Sequence, residues 1–117
     1  MNNSLTIYHN PRCSKSRQTL ALLESHGHRP EIILYLETPP SEAELKAIIK
    51  KLDIAPRALL RKGEEDYKTL GLASKTHSEA ELIQLMVKHP KLIERPIVVH
   101  GNKAALGRPP EQVLDIL

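Results

Sequence analysis

Leu5-Thr6-Ile7-Tyr8-His9-Asn10-Pro11-Arg12-Cys13-Ser14-Lys15-Ser16 is the stretch that decides how this chain folds. Leu5 to Tyr8 alternates and is rich in β-formers, and Asn10-Pro11 is a turn signal. From Ser14 to His26 there are few breakers, Leu20, Ala21, Leu22 and Leu23 supply an apolar surface, and Gly27 is placed as a stop. The reading is strand, tight loop, helix, with Cys13 in the loop just ahead of the helix. Ile32-Ile33-Leu34-Tyr35-Leu36 is a continuous apolar run of strand length, which predicts a second strand beside the first and buried on both faces. Together they make a βαβ unit, parallel and right-handed by default.

Beyond it the pattern turns helical. Ser41 and Glu44 form a capping box ahead of Leu45, Ile48, Ile49 and Leu52, spaced for one helix face. Pro56 opens a further short helix through Arg61, Tyr67 to Leu70 reads as a turn ended by Gly71, and Ser78 to Glu81 is a second capping box for a helix that stops at His89-Pro90. Residues 41–90 are therefore expected to be all helical. Strands return with Pro96-Ile97-Val98-Val99, a His100-Gly101-Asn102 turn and Lys103-Ala104-Ala105-Leu106 at hairpin spacing. Glu111 to Leu117 is expected to close the chain as a short helix with Val113, Leu114 and Leu117 on one face. The order is βαβ, helical insertion at about 41–90, ββα, in a single α/β domain over residues 1–117, with the insertion packed on the same body.

Composition agrees with one core. The chain has 117 residues, 40% hydrophobic and 26% charged, and its core must be Leu, Ile, Val and Ala because there is no Trp or Phe. A net charge of +3 and only Tyr8, Tyr35 and Tyr67 as aromatics give no stacking platform for a nucleic acid. No apolar run approaches the roughly 20 residues of a membrane span, and the first residues carry no secretory pattern, so the expected location is cytoplasmic and the Asn2-Asn3-Ser4 sequon is a chance match. With Cys13 the only cysteine, neither an internal disulfide nor a Cys-rich zinc site is available, and the six histidines have no ligand spacing, so no metal is expected.

Cys13 carries the chemistry. Amide N–H groups and the dipole at a helix start favour an anion and lower a cysteine pKa below its free value of about 8.5. His9, Lys15 and Arg17 would add positive potential, and the Ser16 hydroxyl can donate to a thiolate. The opposing reading, a small buried hydrophobe, is weakened by the polar neighbours Arg12, Ser14, Lys15 and Ser16. His9 reads equally well as structural. The phosphate cradle of cysteine phosphatases is absent, since Thr19 stands where its arginine belongs. Ser16 occupies the second place of a Cys-x-x-Cys pair, so a resolving thiol must come from outside. Arg61, Arg95 and Arg108 each read singly as surface charges. Their joint placement at loop and element ends suits an oxyanion clamp, because guanidinium forks match oxyanions. Arg95-Pro96, directly before a strand, is the better candidate for a cis bond, with Pro96 turning toward the helix start.

Tyr8 to Arg17, Leu34 to Pro40, Arg57 to Lys62, Arg95 to Val99 and Gly107 to Leu114, in that order, resemble the glutaredoxin-linked arsenate reductase family, in its short bacterial branch. The resemblance runs from Leu5 to Leu117. It implies a thioredoxin-like fold, a three-layer βαβ…ββα sheet with an all-helical insertion. It also implies a nucleophile at Cys13, an oxyanion-binding triplet at Arg61, Arg95 and Arg108, and thiolate support from His9 and Ser16. The implied activity is reduction of arsenate or a similar oxyanion. Cys13 attacks arsenic(V), glutathione as co-substrate displaces and reduces the adduct, and glutaredoxin regenerates the thiol as arsenite leaves, with no metal or bound cofactor. The chain departs from longer members of that family at Arg12 and Ser14-Lys15, beside the nucleophile. Two other readings remain: a protein-binding regulator of the related Spx type, whose Cys-x-x-Cys switch Ser16 interrupts, and a glutathione-dependent thiol oxidoreductase that does not act on arsenate.

Overall fold

The structure, a computed structural model, describes residues 5–117, so the Asn2-Asn3-Ser4 sequon lies outside the described residues. The chain divides into a sheet unit, residues up to 38 together with Arg95–Leu117, and a helical unit, Pro39–Glu94.

In the sheet unit, β1 (Leu5–His9), α1 (Ser14–Ser25) and β2 (Glu31–Leu34) are followed by β3 (Ile97–His100), β4 (Lys103–Leu106) and a 3₁₀ helix over Pro110–Ile116. The sheet order is β2-β1-β3-β4. β1 runs parallel to β2, with Ile7 opposite Ile32, and antiparallel to β3, with Ile7 opposite Val98; β3 and β4 form the hairpin, with Val98 opposite Ala105. This is the βαβ and ββα order read from the sequence. Leu5 and Ile7 share a face with Val98, because side chains alternate along a strand. Leu23 of α1 and Val113 of the terminal helix close on that face, with Leu20, Leu22, Ala105 and Ile116 packed around them. Each such side chain removed from water contributes about 1.5–3 kcal/mol. That cluster fastens α1 along β1 and so fixes where the helix begins.

Two expectations for this unit are corrected. The apolar run at Ile32 is not buried on both faces: β2 is an edge strand that ends at Leu34, Ile32 is 47% exposed, and Tyr35, in the turn that follows, is buried instead. The residues packed over Ile7 converge on Leu5, Leu23, Val98 and Val113, and Ile32, at the open edge, is not among them. The terminal segment is 3₁₀ rather than α-helical. With three residues per turn, Val113 shares its side with Ile116, and Leu117 is left 38% exposed.

The helical unit holds α2 (Glu42–Leu52), a 3₁₀ turn (Pro56–Leu59), α3 (Glu65–Thr69), α4 (Glu79–Lys88) and a second 3₁₀ turn (Pro90–Leu92). Both capping boxes form. The Glu44 N–H donates to Ser41 Oγ (3.1 Å) and the Ser41 N–H to Glu44 Oε1 (2.8 Å). The Glu81 N–H donates to Ser78 Oγ (3.2 Å) and the Ser78 N–H to Glu81 Oε1 (2.9 Å). Leu45, Ile48 and Ile49 of α2 and Leu82, Ile83 and Met86 of α4 are buried, as their spacing requires. The segment is not purely helical: Leu60 and Ile93 form an antiparallel bridge, where the Arg61 N–H donates to the Leu92 carbonyl and the Glu94 N–H to the Leu59 carbonyl, both at 2.8 Å. Among the described residues no helix is long and apolar enough to cross a membrane.

Candidate active site

Cys13 is the N-cap of α1, with extended backbone (φ −95°, ψ 124°), and its carbonyl accepts the first helical bond from the Arg17 N–H at 3.0 Å. The loop before it is braced at each step. The Cys13 N–H donates to the Asn10 carbonyl (3.0 Å), the Arg12 N–H to Asn10 Oδ1 (3.0 Å), and Arg17 Nη1 to the Pro11 carbonyl (2.9 Å). Ser16 is fully buried, and its Oγ accepts from the Asn10 N–H at 2.9 Å and shares a 2.7 Å hydrogen bond with His9 Nδ1. The first turn of α1 has no acidic residue, and the Cys13 side chain closes no cap hydrogen bond of its own. The amides there are left to serve an anion.

The half-buried thiol responds to that setting. Burial pushes its pKa up, but the Ser16 N–H, the charge of Arg95, the Lys15 N–H and a hydrogen bond from Arg95 together outweigh burial and hold it below the ordinary thiol value. Ser16 thus acts on the sulfur through its backbone N–H, while its hydroxyl braces the loop at Asn10 and His9. His9 differs from its sequence reading as a source of positive potential. Its burial, and secondarily the nearby Arg17 charge, lower its pKa from 6.5, so at neutral pH the imidazole is uncharged and its place is against Ser16.

Arg95 and Arg108 are carried by two adjoining turns, each with a cis X-Pro bond: Arg95-Pro96, as expected, and Arg108-Pro109, which sequence reasoning did not single out. The Gly107 N–H donates to the Pro96 carbonyl (3.0 Å), and Arg108 Nη1 donates to the Arg95 carbonyl (3.2 Å). Arg95 is half-buried and interacts with Cys13; Arg108 is exposed. Arg61 belongs to the helical unit, where its Nη1 donates to the Lys91 carbonyl (3.4 Å) and lies 3.7 Å from Glu64 Oε2. The sequence reading gives Arg17 a part only as a source of positive potential, and gives Thr19 and Gly107 no part in the site. What the structure adds is the bond from Arg17 to the Pro11 carbonyl, six positions back in the chain, while Thr19 and Gly107 acquire meaning through a contact 88 positions apart. Among the described residues no group of three His, Cys, Asp or Glu side chains is placed to hold a metal ion.

The model of the ArsC family matches residues 8–116. The chain belongs to the ArsC family. Among its relatives, the uncharacterized protein YfgD of Escherichia coli K12 is 55% identical over 100% of this chain and 99% of its own length. The arsenate reductase of Haemophilus influenzae is 54% identical over 97% of this chain and 99% of its own length. The solved structure of an arsenate reductase from Vibrio cholerae superimposes with a TM-score of 0.96 at 54% identity, covering 100% of both chains. With that superposition over the whole of both chains, the thioredoxin-like α/β fold is the fold of this ArsC chain.

Proposed function

We propose that this ArsC chain reduces arsenate to arsenite with Cys13 as nucleophile and glutathione and glutaredoxin as the source of electrons. The observation that carries the reading is the Cys13 thiol at an uncapped helix start, its pKa lowered by two backbone N–H groups and by Arg95. Its thiolate attacks the arsenic(V) centre, and an arsenate oxygen leaves as water after taking up protons. Glutathione condenses at arsenic with loss of a second water. A glutaredoxin thiolate then attacks the glutathione sulfur, so that the electron pair of the sulfur–arsenic bond stays on arsenic. Arsenic(III) remains on Cys13, a glutathione–glutaredoxin disulfide forms, and water releases arsenite and the thiol. Cys13 is the only cysteine, so both reducing thiols must come from other molecules.

Arg95 offsets the repulsion between thiolate and oxyanion, and Arg108, bonded to the Arg95 carbonyl, supplies a second cation from the adjoining turn. Arg61 is assigned to the same anion by the family resemblance alone. Neutral His9 and buried Ser16 keep the loop in place rather than exchange protons with substrate. The test is arsenate-dependent oxidation of NADPH coupled through glutathione reductase, with glutathione and a glutaredoxin present. Turnover well above a Cys13→Ser variant is expected. Turnover equal to that variant overturns the reading, and turnover with thioredoxin but not glutaredoxin overturns the choice of donor.

A further inference from the structure

Thr19, in the second turn of α1, is fully buried. Its Oγ1 donates to the Lys15 carbonyl at 2.8 Å, the back-bond of a helical threonine, and faces the Gly107 carbonyl at 3.4 Å. At Gly107 the Arg108 turn meets α1. A Cβ added there would overlap the Thr19 hydroxyl, lie 3.0 Å from Thr19 Cγ2 and lie 2.8 Å from Pro96 Cγ. Pro96 is in turn tied to Gly107 through its carbonyl, and Arg95 to Arg108 through its own. Thr19 is therefore the α1 side chain that meets the Arg108 turn at Gly107, and the Arg95 turn is joined to that turn by the two carbonyl bonds.

We infer that Thr19 is a positioning residue: its hydroxyl and methyl set the two turns carrying Arg95 and Arg108 against the helix that Cys13 caps. The inference rests on the proposed role of Cys13 as nucleophile. Arg95 acts on the sulfur both by charge and by a hydrogen bond, and the bond depends on sub-ångström placement. The Thr19 hydroxyl is engaged by the Lys15 and Gly107 carbonyls, so in this inference its effect reaches the chemistry through Arg95.

The experiment is the pH-dependent rate of Cys13 alkylation by iodoacetamide in the full chain, for wild type, Thr19→Ala, Thr19→Ser, Arg95→Ala and the Thr19→Ala/Arg95→Ala double variant, with a melting curve for each. In Thr19→Ala the fraction of thiolate at a pH below the wild-type inflection is expected to fall about three- to tenfold. Thr19→Ser, which keeps the hydroxyl, should recover most of that loss. In the Arg95→Ala background the further Thr19→Ala change should leave the inflection where Arg95→Ala puts it, because the arginine through which it acts is gone. A lower melting temperature in Thr19→Ala with an unmoved inflection would mean a structural role only and overturn the inference. So would additive effects in the double variant. A wild-type inflection at the ordinary thiol value would instead overturn the reading of Cys13, and this inference with it.

Discussion

The N-termini of α1, α2 and α4 answer one physical problem in two ways. Each leaves backbone N–H groups without a helical partner. α2 and α4 close theirs with Ser41-Glu44 and Ser78-Glu81 boxes and place acidic residues in the first turn, which also suits the helix dipole. α1 does neither: a thiol stands at its cap, its first turn is free of acids, and Ser16, the residue in the Glu44 position, sends its hydroxyl to the Asn10 N–H and His9. A cap that uses up its donors stabilises a helix. One that leaves them open gives up about 1 kcal/mol of capping energy and holds a reactive anion.

The largest effect expected from this contrast is at Cys13. Cys13→Ser should lower arsenate turnover more than about a thousandfold, measured by the coupled NADPH assay, because an ordinary hydroxyl is not ionised at neutral pH. Arg95→Ala should lower turnover about a hundredfold and move the Cys13 inflection upward in alkylation, the loss expected for one charged group at a developing anion. Ser41→Ala and Ser78→Ala should each cost about 1 kcal/mol in chemical denaturation and leave Cys13 alkylation as in wild type, since they cap other helices. Cys13→Asp should do the reverse, raising stability by up to about 1 kcal/mol while abolishing turnover. The smallest effect is at His9. Its folded pKa lies below 6.5, so the unfolded chain binds more protons and stability falls as pH drops from 6.5 through the folded value. In His9→Gln that part of the pH dependence should be missing from denaturation curves recorded across the same range.

The same contrast explains what could be read in advance. Capping boxes and the spacing of Leu45, Ile48 and Ile49 are local, and the helices they predict are observed within a residue or so. The strand-loop-helix at Leu5 to Ser25 is equally local, and so is the position of Cys13 at its cap. What failed depends on distant neighbours. Ile32 has the composition of a buried strand but lies at a sheet edge, and His9 sits beside cations yet is neutral because it is buried. The Thr19–Gly107 contact spans 88 positions, so neither residue has a meaning in its own neighbourhood. Arg95 and Arg108 were legible as residues at turns, and their mutual bond through the Arg95 carbonyl was not.

The central claim is that α1 begins with an open set of donors that, with Arg95, holds Cys13 as a thiolate for an oxyanion to meet. The most direct test is the pH dependence of Cys13 alkylation in the wild-type protein, with and without arsenate. The account predicts an inflection below the ordinary thiol value and slower alkylation when arsenate is present. An inflection at or above that value, with a rate indifferent to arsenate, would contradict it.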